Sequence, residues 1–160
     1  MTSKVTPCLW FDKNAEEAAR FYVTVLPDSR IDNIVQAPSD NPGGGKEGEV
    51  LMVEFTVGGQ KLTGLNGGPF FQFSEAISLQ IDVADQAEYD RLTEILSAVP
   101  EAEQCGWVKD RFGLSWQLVP REVIAMMSDA DRDKARAASQ AMMEMKRLDI
   151  AAIRAAFDAA

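Results

Sequence analysis

The sequence predicts an α+β fold: two tandem β-α-β-β-β modules over residues 1–66 and 67–120, then a helical extension over 121–160. Three observations predict it. Two capping boxes, Asn14-Ala15-Glu16-Glu17 and Asp85-Gln86-Ala87-Glu88, each follow a strand-like run and open a helical stripe. Each stripe is followed by glycine-punctuated hairpins. From Arg121 onward the chain turns rich in Ala and Met at helical spacing.

Lys4 to Phe11 reads as the first strand. After Asn14, the residues Ala18, Phe21, Tyr22, Val25 and Leu26 recur at helical spacing until Pro27 stops the run. Arg30 to Gln36 is a second strand, and 37-APSDNPGGGKEGE-49 is a flexible loop by composition. Val50–Val57 and Gln60–Leu65 form a hairpin around Gly58-Gly59. The order then repeats. Ile77–Val83 is a strand, and Tyr89, Leu92, Leu96 and Val99 form the second stripe. A strand near Ala102–Gln104 and the hairpin 105-CGWVKDRFGLSWQLVP-120 complete the copy. Sliding Asn14 onto Asp85 also lays Glu17 on Glu88, Arg20 on Arg91 and Phe21 on Leu92, residues that any capped amphipathic helix carries. Ser128–Asp131 reads as a cap for the stripe Ala135, Ala138, Met142, Met145 and Leu148. Asp149 caps a last helix through Ile150, Ile153 and Phe157. The Met stripe is expected to pack on a sheet or a partner chain.

Bulk composition excludes several classes of function. With 16 basic and 25 acidic residues, the net charge of −9 disfavours nucleic acid and anionic membranes. No apolar run reaches the ~20 residues of a membrane span, and MTSKVTPCLWF lacks a signal-peptide layout. Two cysteines, Cys8 and Cys105, suit a reducing compartment, so a cytoplasmic protein is expected. There is no histidine. That removes Ser-His-Asp and Cys-His nucleophile pairs and the commonest transition-metal ligand.

TPCLWFDKNAEEAARFY, VEFTVGGQKLTGLNGGPFFQFSEAISLQIDV and CGWVKDRFGLSWQLVP resemble the vicinal oxygen chelate superfamily of glyoxalase I, bleomycin-resistance proteins and extradiol dioxygenases. More narrowly they resemble its PhnB-like subgroup, often labelled 3-demethylubiquinone 3-methyltransferase, as does the tail MMEMKRLDIAAIRAAFDAA. The resemblance implies cup-shaped mixed sheets, a small organic ligand and a homodimer. Metal enzymes of the superfamily take one ligand from each of four strands, commonly two His and two carboxylates. Laid on this chain, the four positions fall near Thr6, at Glu54, near Ala76–Ser78 and at Gln117. Only Glu54 is a good donor, so no transition metal and no cofactor is expected.

The expected ligand-binding residues are Trp10, Glu54, Phe71, Phe73 and Gln117. Alternation separates Gln117 from Trp116 and puts Trp10 on the face of Thr6 and Cys8, so Trp116 is read as core and Trp10 as cup lining. Glu54, Gln117 and Trp10 are expected to converge on one pocket, with Phe71 and Phe73 at its rim. There Glu54 would be a desolvated carboxylate with a polar partner, the candidate base or weak metal ligand of an enzyme; as a plain strand residue it would be solvated. Cys8 is expected to be a small buried hydrophobe and Cys105 structural. The crossover 64-GLNGGPFFQFSEA-76 either tucks its phenylalanines into core or forms an apolar rim. A Rossmann-type S-adenosylmethionine site needs strand, glycine turn and helix in sequence, and 43-GGG-45 is followed by a strand.

Overall fold

The computed structural model describes residues 4–160; Met1–Ser3, part of the stretch read for a leader, lie outside it. The chain divides into two compact units, the first ending at Phe73 and the second running Ser74–Ala160. The crossover past residue 66 is tied to the first strand. Gly67 N donates to Phe11 O and Gly68 N to Asp12 O.

In the first unit β1 (Cys8–Phe11), α1 (Ala15–Tyr22), β2 (Arg30–Gln36), β3 (Val50–Val57) and β4 (Gln60–Asn66) follow in chain order. The sheet runs β1-β4-β3-β2, with β1 parallel to β4 and the other pairs antiparallel. Period-two alternation sends Leu9, Phe11, Val53, Phe55, Val57 and Leu62 to one face, where all are buried. The apolar stripe Ala15, Ala18, Ala19 and Tyr22 of α1 is buried with them, Tyr22 stacked on Phe55 at 6.1 Å. Each fully buried Val, Leu or Phe contributes roughly 1.5–3 kcal/mol. Gly64 lets the helix come this close, since a side chain there would meet Ala15 Cβ at 3.3 Å.

The capping box at Asn14 does not form. The Asn14 side chain makes no cap bond, and Asn66 Oδ1 at the end of β4 accepts from Ala15 N at 2.9 Å instead. Nor is the 37–49 loop loose. Asn41 Oδ1 accepts from Gly43 N and Gly45 N, and Ala37 exchanges backbone bonds with Gly48 and Glu49. Composition reports turn-forming residues and cannot report that the turns close on one another.

The second unit holds β5 (Ser78–Val83), α2 (Gln86–Leu96), β6 (Trp107–Lys109) and β7 (Ser115–Pro120), in the order β5-β7-β6. Strand β5 is parallel to β7 and β6 antiparallel to it. Ile81, Val83, Val108, Trp116 and Leu118 are buried with Tyr89, Leu92 and Leu96 of α2. The second capping box does form: Asp85 Oδ1 accepts from Glu88 N, while Glu88 Oε2 accepts from Ala84 N. The strand expected near Ala102–Gln104 is absent. Pro100 opens a 3-10 turn over Pro100–Ala102, leaving only the single bridge Gln104–Trp107.

Three helices close the chain: α3 (Arg121–Met127), α4 (Arg132–Met143) and α5 (Ile150–Asp158). Helix α3 was not expected. It starts directly after the strand, and Pro120 at its start carries no capping side chain. Ser128 ends α3 rather than starting α4, which Asp131 caps by accepting from Asp133 N and Lys134 N. Asp149 caps α5 as expected, through Ala152 N at 2.9 Å. Lys146 and Arg147 lie beyond α4, in the turn that leads to α5.

Candidate functional site

Each sheet has one face covered by its helix, and the functional side chains must come from the other. In the first unit the registers align two rows on that open face. One is Asn33–Glu54–Thr63–Cys8 and the next is Val35–Met52–Leu65–Trp10. Glu54 is exposed and accepts a hydrogen bond from Asn33 Nδ2 at 3.0 Å. Its carboxylate therefore has an amide partner but also has water. Cys8 is exposed rather than buried, because β1 is the edge strand of this sheet. Partial desolvation nonetheless pushes its thiol above the ordinary value. The thiol is thus protonated at neutral pH and a weak nucleophile.

Trp10 is half-buried, and its Nε1–H donates to Gly68 O at 2.9 Å. The indole lies on Gly67, where any Cβ would collide with the ring. Phe71 meets Trp10 edge to face at 4.9 Å between centroids while remaining 66% exposed. Such a pair contributes about 0.5–1.5 kcal/mol beyond its buried area. Phe73 parts company with Phe71. It packs edge-on against Phe11 at 5.3 Å, and Phe11 belongs to the helix-covered face. The crossover thus divides its aromatics: Phe73 anchors, while Phe70 and Phe71 stand exposed.

In the second unit Gln117 and Trp107 are paired on the open face, both half-buried. Gln117 Nε2 donates to Ser78 Oγ at 2.8 Å, across the parallel pair β5 and β7. The rest of the hairpin motif is scaffold. Asp110 is buried; its Oδ1 accepts from Phe112 N and Leu114 N, and its Oδ2 from Trp116 Nε1 at 2.8 Å. Trp116 is core, 1% exposed. Lys109 pairs with Glu75, whose carboxyl it holds below its ordinary value. Trp107, absent from the expected site residues, lines a cavity of about 180 Å³ with Cys105, Gln117, Val119, Met127 and Met142. Its register with Gln117 across the hairpin was the available signal.

A larger hollow of about 380 Å³ lies where the 37–49 loop meets the start of α1, lined by Asp12, Lys13, Glu16, Asn41, Glu49 and Asn66. Its amides are already engaged: Asn41 holds the loop, and Asn66 bonds Ala15 N and Val50 O.

The donor set does not fit a transition metal. Thr6 precedes β1 as exposed coil, Gln117 is a neutral amide, and Glu54 is the single carboxylate of the four positions. Among the described residues no three His, Cys, Asp or Glu side chains cluster around a common point. A Rossmann-type adenosylmethionine cradle does not fit either. The 43–45 glycines lead into β3, and Gly43 packs against the backbone of Gly67 and Gly68 instead of opening a helix.

A β-α-β-β-β plan used twice, with the second strand of the second copy reduced to a bridge and one face of each sheet left uncovered by its crossover helix, defines a fold of the glyoxalase/bleomycin-resistance class. The chain belongs to the 3-demethylubiquinone-9 3-methyltransferase family, whose model matches residues 3–119. A PhnB protein from Bacillus cereus, under the same family description, is 31% identical over 74% of this chain and 99% of its own, with a TM-score of 0.61. The Pseudomonas aeruginosa protein PA1353 shares the fold at 20% identity, covering 74% of this chain and 98% of its own, with a TM-score of 0.56. A glyoxylase/bleomycin resistance protein/dioxygenase domain from Frankia is 16% identical over 75% of this chain and 93% of its own, with a TM-score of 0.46. No curated protein matches. The family model stops before α3, so the three C-terminal helices lie outside the match.

Proposed function

We propose that this chain binds a small organic molecule on the open faces of its sheets, without a transition metal. The observation that carries the reading is the open face of the first unit. There Trp10 and Phe71 form an aromatic platform beside Met52 and Leu65, one row from a carboxylate oriented by an amide. Trp10 and Phe71 stack against the ligand, and Glu54 accepts from a donor on it. Phe73 serves the surface by anchoring the crossover, and Gln117 supplies an amide on the second face. The protein acts as a cytoplasmic homodimer; exposed edge strands and the reducing-compartment cysteine count support this. No helix among the described residues is long and apolar enough to cross a membrane.

A second reading makes this an enzyme of the lyase, isomerase or dioxygenase type in which Glu54 is the base or a weak metal ligand, and its orientation by Asn33 Nδ2 favours it. The methyltransferase of the family description is a third, and the fit of the glycine loop argues against it. Titration calorimetry with divalent metals and with S-adenosylmethionine separates the three. The proposal expects neither to bind near stoichiometry. Saturable binding of S-adenosylmethionine would replace it with the third reading.

A further inference from the structure

In the second unit the open face is not bare. The chain leaves β7 at Pro120, turns into α3 and returns along α4, so that helix side chains stand over part of the sheet. Val123, Ile124 and Met127 of α3 and Met142 of α4 face Trp107, Gln117 and Val119 across the cavity of about 180 Å³. An apolar cavity of about 150 Å³ holds benzene, so this one has room for a single ring. None of its lining side chains is charged. A charged guest would give up its hydration with no counter-charge to replace it.

The polar side chains of the lining are few: the Cys105 thiol donates to Met143 O, Trp107 carries one indole N–H, and Gln117 carries the one side-chain amide. Gln117 spends its Nε2 on Ser78 Oγ, and among the described residues its Oε1 accepts no hydrogen bond. The guest it suits therefore carries one hydrogen-bond donor on an otherwise apolar body. Two methionines on the opposite wall adapt to a flat outline, since their side chains are unbranched and polarizable. We infer that the C-terminal helices complete a pocket for a neutral, single-ring molecule bearing one hydroxyl or N–H group. This rests on the small-molecule reading above and adds to it the ligand class and the role of the helices that the family model does not cover.

The test uses the full chain labelled with ¹³C-methyl methionine, which places probes on both open faces: Met127 and Met142 on this cavity, Met52 on the first unit. Resonances are assigned with single Met→Leu variants. Phenol should shift Met127 and Met142 saturably, toluene should bind about 10-fold more weakly, and benzoate should leave both in place. Gln117→Leu should bring phenol down to toluene's affinity. Met142→Trp should fill the cavity and abolish both responses. Ile124→Trp, at the exposed lip, does the same if that variant fails to fold. A shift of Met52 alone overturns this inference and leaves the small-molecule reading standing. Benzoate binding as well as phenol overturns the assignment of a neutral guest. Silence of all three methyls toward every ring compound overturns the inference and removes support from the broader reading as well.

Discussion

Asp110 is a buried carboxylate that serves its own hairpin. It closes the turn of the second hairpin through two backbone N–H groups and holds the indole of Trp116 in the core. Asp110→Ala leaves buried donors unpaired, and a cost of about 3 kcal/mol or more is expected in urea unfolding. A cost under ~1 kcal/mol would mean that water replaces the carboxylate. Glu54 is the opposite case. It is exposed, so Glu54→Gln should change stability by less than about 0.5 kcal/mol while weakening ligand binding, since the amide is a poorer acceptor. Lost folding with unchanged binding would make Glu54 scaffold. Alternation was enough to place Trp116 in the core and Trp10 on the open face, because a strand's period is two. The exposure of Glu54 and Cys8 was not readable. Which face of a strand is open follows from pattern, but how much of it stays wet depends on the sheet edge and on distant chain.

At the scale of elements, a clamp ties the turn before α5 to α2 and to Glu103 behind the 3-10 turn. Arg147 grips Glu103 with Nε and a terminal nitrogen, both at 2.8 Å, and reaches Glu94 at 2.7 Å; Ser97 Oγ also donates to Glu103. Tyr89 OH accepts from Leu148 N, and Gln86 spans Leu148 O and Ile150 N. Arg147 beside it holds the buried Glu103 carboxyl below its ordinary 4.5. A depressed carboxylate stabilises the fold above its unfolded pKa, and the contribution is lost as pH falls through the folded value. Amide-exchange protection of α5 should therefore be level above about pH 5 and fall on acidification below it. Arg147→Gln should lower the protection at pH 7 and flatten its acid dependence. Unchanged protection in that variant would show that packing of Ile150 and Ile153 alone seats the helix. Helix α4 was legible from its stripe as far as Met142, while Met145 and Leu148 fall in the turn beyond it; α5 was legible from its stripe and Asp149 from its spacing. The clamp was not, because the partners of Arg147 lie far back in the chain.

For the whole molecule, the repeat of element order carried the fold, and it survives even where one strand shrinks to a bridge behind Pro100. Each sheet ends in unpaired edges, β1 and β2 in one and β5 and β6 in the other. We expect a homodimer, and light scattering at micromolar concentration should give twice the chain mass of 17.6 kDa. A monomer mass would show that these edges are covered within one chain. The central claim is that the open faces hold an organic molecule and not a metal. Native mass spectrometry of the protein purified without chelators reads both at once. The account predicts an organic adduct of small mass that is lost in Trp10→Ala and weakened in Glu54→Gln, with no transition metal. About one Zn, Ni, Mn or Fe per chain, retained in Glu54→Gln or not, would contradict it.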